Sequence, residues 1–213
     1  GDTRVQARTM ASLVALYMKS GDLEKARDQA KQAKQMFRNA RDLDGEASVL
    51  LNEAMICLSF EELEKADDNA KEALTIYEDL EYRLMQASAL LVHHMILSHR
   101  EKHDAALEQA KRARELLKKL DNRKMDECIA LCRISESNFA LANREADEGA
   151  EPKKSKQKWT EALKAAKEAL SIAKTPTVQK KDPKKKLLSD TYFFVAQAMG
   201  MMGKVKEALE KVG

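Results

Sequence analysis

Glycine and proline are scarce in this chain, at 7 and 3 copies among 213 residues. So few helix breakers, beside 44% hydrophobic and 34% charged residues, exclude a disordered chain and point to a folded, helix-rich one. Aromatic residues are also few, at 5%. The three cysteines are an odd number without a secreted disulfide framework, so a reducing compartment is expected, cytoplasmic or nuclear. No apolar run reaches the roughly 20 residues that span a bilayer. The longest, Ala87 to Leu97, is interrupted by His93 and His94. Net charge is +3, which by itself argues for neither nucleic acid nor an anionic membrane. Gly1-Asp2-Thr3 opens directly into charged helical sequence, so no signal peptide is expected.

What the chain has is repetition. Gly21-Asp22-Leu23-Glu24-Lys25-Ala26 runs on to Ala30 and Ala33, and Glu61-Glu62-Leu63-Glu64-Lys65-Ala66 runs on to Ala70 and Ala73. Ala106, Ala110 and Ala113 repeat the spacing, as do Ala162, Ala166 and Ala169. Gly203 to Ala208 begins a fifth copy. Alanines at this spacing share one helix face, where a neighbouring helix packs too close for larger side chains. The first three motif alanines, Ala26, Ala66 and Ala106, are 40 residues apart. The step to Ala162 is 56, and the excess falls in 143–158, read as an inserted loop or helix extension. The step to Ala208 is 46, with 174–186 absorbing the excess.

Periodicity predicts helices over about 3–20 and up to 41, then pairs over 44–81, 82–120 and 122–174, and a truncated pair over 183–213. Asp22, Asp44 and Asp121 are expected N-caps, and Asp182-Pro183 reads as a cap followed by first-turn proline. All units fall in one repeat domain, residues 1–213. The abrupt end predicts a piece of a longer protein, with an exposed apolar face available for self-association.

The pattern resembles the tetratricopeptide repeat, a helix-turn-helix unit. Its longer branch, similar to the repeats of kinesin light chains and G-protein-signalling modulators, has the 40-residue period seen here. Gly21-Asp22, Ala26 and Ala33, and their later copies, match the family's turn and small second-helix residues. Ala54 and Ala196 fill its small first-helix slot. His94 and Ile134 fall at that slot in the third and fourth copies, which requires a splayed helix pair or a register shift of one. The resemblance implies an all-α, right-handed superhelix, an α-solenoid of about five antiparallel helix pairs.

The family geometry puts each first helix on a concave face. The expected binding positions are Leu51, Asn52, Met55, Leu58, Leu91, Met95, His99, Leu131, Ser135 and Phe194, with Ala11, Ala15, Lys19, Val92, Cys132 and Gln197 beside them. This list is largely apolar. It reads either as a groove for an apolar peptide or helix, or as packing between neighbouring repeats. The family's carboxylate clamp is disfavoured, because Ala11, Ala15, Asn52, Ser88 and Val92 occupy its positions. Asn52 is either a peptide-backbone contact or an ordinary polar residue.

Other chemistries have little support. His93 and His94 point about 100° apart on a helix. Cys128 and Cys132 share a face but lack the companions of a tetrahedral site, so no metal or cofactor is expected. No glycine-flanked nucleophile or phosphate loop is visible, so no enzyme is expected. The basic segment Lys180, Lys181, Lys184, Lys185 and Lys186 reads as a solvated loop, or alternatively as a contact for nucleic acid or an anionic surface. No aromatic residue lies within it for stacking on bases. The function expected is a non-enzymatic scaffold that presents a concave surface to a protein partner.

Overall fold

The computed structural model describes residues 2–203. The second helix expected for the fifth copy, from Lys204 onward, lies outside the described residues. Ten helices form among the described residues, and no strand. They fall into two compact units, Gly1–Arg100 and Glu101–Gly213. The third helix pair, expected as one unit, is therefore divided between the two.

The first unit holds α1 (Asp2–Ser20), α2 (Leu23–Asn39), α3 (Leu43–Ser59), α4 (Leu63–Asp79) and α5 (Arg83–His99). Each turn is built alike. Gly21, Arg41, Glu61 and Glu81 adopt left-handed backbone, one every 20 residues. At Arg41 the amide donates to the Arg38 carbonyl, and the Asp42 amide reaches the Phe37 carbonyl at 2.9 Å. The same pair of bonds recurs around Glu61 and Glu81. They satisfy carbonyls that a helix end leaves without partners. The true beat is thus one helix per 20 residues, half the period seen in the alanines. Only Gly21 announces this turn in the sequence, since Arg and Glu are not residues that favour positive φ.

Asp22 caps α2 through the Lys25 amide, as expected. For α3 the cap is Asp42, bonded to the Gly45 amide, and not Asp44, which already lies in the helix. The alanine faces are fully buried: Ala26, Ala30 and Ala33 with Phe37, Val49 and Ile56, and Ala66 and Ala70 with Ala54 and Ile96. Gly45 has a separate role. A Cβ there would lie 2.2 Å from the Phe37 ring, so glycine lets α2 close on α3.

The second unit holds α6 (His103–Lys118), α7 (Lys124–Asp147), α8 (Pro152–Ala173), α9 (Pro176–Lys181) and α10 (Lys186–Met201). Its regularity fails in three places. Left-handed backbone comes at Asn122, one residue later than the 20-residue beat requires, and α7 starts at Lys124. Asp121 therefore sits in the turn and does not cap α7, whose N-cap residue is Arg123. The 143–158 insertion is not a loop over most of its length. It extends α7 and α8, leaving a short connection at 148–151 with Gly149 left-handed and Pro152 opening α8. The lengthened pair is joined by Trp159, whose Nε1 donates to Asn143 Oδ1 at 3.2 Å. The third irregularity is α9, a short helix within 174–186. Asp182 does hold the start of α10, accepting from the Lys186 and Leu187 amides, but Pro183 stands in the turn before the helix.

Candidate binding cleft

The one-residue delay at Asn122 rotates the fourth first-helix relative to a 40-residue count. Leu131 is 0% exposed and sits in the core with Leu107, Ala165 and Ala169. Ser135 is 1% exposed, and its Oγ donates to the Ala162 carbonyl at 3.0 Å. Neither residue can line a groove, which corrects the expectation for both. Counted from the helix start, Ser135 takes the place that Ala54 has in α3. Ile134 is then not at the small slot at all. In the third copy the beat is intact, and His94 does occupy that slot, fully buried.

With that shift, the outward face of α7 passes through Met125, Ile129, Cys132 and Arg133. These residues meet Leu187, Asp190, Phe193 and Phe194 of α10, and Asp182 and Lys186 before and at its start, around a cleft of about 550 Å³. Five of these side chains are apolar without sulfur-hydrogen or charge; Cys132 and four charged groups complete the wall. Phe194 lines this cleft and is half-buried. Phe193 is 61% exposed and meets Phe194 edge-on, with ring centroids 5.7 Å apart. Sequence periodicity missed Phe193, although the adjacent aromatic pair was its visible signal.

Cys132 faces the cleft, whereas Cys128, one turn earlier, is sealed in the core and donates to the Ala169 carbonyl. Its bond to Cys132, and then burial, push the Cys128 thiol up. Among the described residues, no cluster of three or more His, Cys, Asp or Glu side chains could hold a metal ion.

In the first unit, α3 touches both α1 and α5. Leu51 and Leu58 are buried, so they pack the interior more than they face outward. Asn52, Met55, Leu91 and Met95 are half-buried, and His99 is exposed. None of them lines the cleft between α7 and α10. His93 points elsewhere: its Nε2 lies 2.8 Å from Asp67 Oδ1 on α4. Lys71 and Arg100 approach the other oxygen of Asp67 at 2.8 and 3.3 Å. Burial pushes the Asp67 carboxyl up, but Lys71 and His93 outweigh it and hold the group below the usual range.

The five lysines of the basic segment are all exposed. Lys180 and Lys181 close α9, Lys184 and Lys185 lie in the turn, and Lys186 opens α10 at the cleft edge. No helix among the described residues is long and apolar enough to cross a membrane.

Residues 5–79 match the family model for the tetratricopeptide repeat. No curated protein matches the chain. Among solved structures, a Podosopora anserina kinesin light chain with nearly identical TPR-like repeats superposes with a TM-score of 0.72 at 12% identity, over 98% of this chain and 94% of that one. BtubC (BKLC) from P. vanneervenii gives 0.70 at 18% identity, over 98% of this chain and 77% of its own. A Signal Transduction ATPase with Numerous Domains from Pyrococcus horikoshii, which has a tetratricopeptide repeat sensor, gives 0.61 at 16% identity over 100% of this chain and 37% of its own. The sequence match to the tetratricopeptide repeat thus covers residues 5–79, and the solved structures share the fold over nearly the whole chain.

Proposed function

We propose that this chain is a non-enzymatic protein-interaction scaffold, and that the cleft between α7 and α10 seats an apolar segment of a protein partner. The observation that carries this reading is the cleft itself. A volume of about 550 Å³ is walled by Met125, Ile129, Leu187, Phe193 and Phe194, with Arg133, Lys186, Asp182 and Asp190 among the lining. Binding sites commonly join an apolar floor to a few polar groups that fix orientation. An exposed phenylalanine beside a cleft supplies a large apolar contact with few rotatable bonds. The repeat fold supports the scaffold reading, because helices held by their neighbours lose little freedom on binding. Of the residues expected from sequence, Phe194 belongs to this cleft. Asn52, Met55, Leu91, Met95 and His99 would form a secondary face on the first unit.

A phage-displayed peptide selection against the chain tests the proposal. Selected peptides should be rich in apolar residues and should lose at least about tenfold in affinity for Phe193→Asp, since burial of a Phe side chain is worth about 1.5–3 kcal/mol. Circular dichroism would confirm that the exposed substitution leaves the fold intact. Peptides that bind Phe193→Asp as well as the parent would remove the cleft from the proposal.

A further inference from the structure

Lysine is spread unevenly along this chain. Residues 153–186 hold twelve lysines and three acids, a net +9 in a chain whose total is +3, so the rest is net −6. All twelve arginines lie outside that stretch. Most of it is one helix, α8.

The helices α2, α4, α6 and α8 each turn one face to solvent, so exposure on that face is not an effect of a chain end. The motif alanines Ala26, Ala66, Ala106 and Ala162 put the four faces in register. Two places after the alanine the exposed residue is Asp28, Asp68 or Glu108 in the first three helices, but Lys164 in α8. Two places before it stand Glu24, Glu64 and Asp104, but Thr160 in α8. Acids at these places offset the lysines that follow, as Glu108 does for Lys111 at 3.1 Å. In α8 the stripe runs Lys153, Lys156, Thr160, Lys164, Lys167, Ser171 and Lys174, at intervals of three and four. Every member is exposed, and none is acidic. Glu161 and Glu168, the acids of α8, lie off the stripe and are taken by Lys158 and by Arg114 of α6.

Helix stability does not account for this pattern. The helix dipole favours negative charge in the first turn, where α2, α4 and α6 carry Glu24, Glu64 and Asp104. The first turn of α8 has no acid, and the helix opens with Lys153, Lys154 and Lys156, which the dipole opposes.

We infer that the outer face of α8 is a docking surface for the sugar–phosphate backbone of a duplex nucleic acid, held without reading its bases. Charge complementarity supplies the attraction. From Lys153 to Lys174 the ridge is about 32 Å long, close to one turn of a duplex. Lysine meets phosphate as a point charge, and Ser171 adds a hydroxyl, a common companion in backbone contacts. The absence of arginine removes the fork that reads guanine or clamps a carboxylate. No aromatic residue stands in the stripe to stack on an unpaired base, and the neighbouring Trp159 is half-buried and bonded to Asn143. No apolar residue stands in it to enter a bilayer.

A fluorescein-labelled duplex of about 20 base pairs, made as DNA and as RNA, tests the inference. Anisotropy titrations from about 50 mM salt upward would compare the parent chain with two charge variants. Lys164→Glu/Lys167→Glu alters the ridge, and its first change gives α8 the residue that α6 carries at the matching place. Lys31→Glu/Lys111→Glu removes the same charge from α2 and α6. The inference expects saturable binding of a duplex by the parent, a loss of about tenfold or more for the ridge variant, and less than about twofold for the other. The log–log salt slope should be shallower by about 2 in the ridge variant. Phe193→Asp should bind as the parent does, which separates this surface from the α7–α10 cleft. No saturable duplex binding, equal losses in the two charge variants, or an unchanged slope would overturn the inference. Vesicles with about 30% phosphatidylserine and a polyglutamate peptide cover the other polyanions. Ridge-dependent binding of either that is tighter than that of the duplex would assign the face to a bilayer or an acidic protein segment, and would also overturn it.

Discussion

The two units are made from the same kind of helix but differ in regularity. In Gly1–Arg100 the helices α2 to α5 are each 17 residues long, and left-handed turns fall at 21, 41, 61 and 81. In Glu101–Gly213 the helices have 16, 24, 22, 6 and 16 residues, and the turn before α7 is delayed by one. Strict repetition places every side chain against a copy of the same surroundings. The interior closes, and Met55, Leu91 and Met95 are left half-buried. Broken repetition leaves space. The cleft between α7 and α10 lies beside the irregular 174–186 segment, because α9 and Asp182 set where α10 begins. A regular array supplies stiffness, and departures from it supply shape.

Substitutions in the two units sharpen this contrast. The largest effect is expected in the second. Leu131→Ala should destabilise by about 2–5 kcal/mol, as for buried leucines generally, whereas a groove residue would change stability by less than about 0.5 kcal/mol. Urea titration of the two-unit chain, followed by helical signal and by Trp159 fluorescence, would report it. Next comes the close approach in the first unit. Gly45→Ala should destabilise by about 1–3 kcal/mol through overpacking against Phe37, despite alanine's better helix propensity. Phe37→Leu in the same chain should recover part of that loss.

The Asp67 cluster is expected to give an intermediate effect that depends on pH. Its carboxyl is held below its unfolded value, so the folded form gains stability from it above the unfolded pKa and loses that gain as pH falls through the lower, folded pKa. Asp67→Asn should thus cost about 1–3 kcal/mol near neutrality. The difference from the parent should shrink as pH drops below the ordinary carboxylate range, and a constant difference down to pH 2 would contradict the assignment. The smallest effect belongs to the turns. Glu81→Gly should stabilise the first unit by up to about 1 kcal/mol, because glycine tolerates the left-handed backbone that glutamate adopts at a cost. Thermal unfolding would detect a rise in Tm, and a fall would mean that the Glu81 side chain contributes more than its backbone costs.

Much of the fold was legible because helix pairing is a matter of period. Alanines at 26, 30 and 33 mark a close-packed face wherever they occur, and Asp22 marks a cap by position alone. Turn chemistry was less legible. Arg41, Glu61 and Glu81 adopt positive φ because the bonds of the turn require it, and nothing about those side chains reports it. The site suffered most from a small error. One extra residue before α7 turns a helix by about 100°, enough to exchange core for surface. That is why Leu131 and Ser135 were read as groove while Ile129 and Arg133, which line the cleft, were not. Asp42 and Asp182 show the same limit for caps, since choosing between nearby aspartates needs the turn's actual geometry.

The central claim is that the principal site for a partner is the cleft beside the break in regularity, with the even face of the first unit secondary to it. Isothermal titration of one selected peptide against Phe193→Asp and Met95→Asp tests it most directly. The account predicts a loss of about tenfold or more for Phe193→Asp and little change for Met95→Asp. The reverse order, with Met95→Asp abolishing binding and Phe193→Asp leaving it intact, would contradict it.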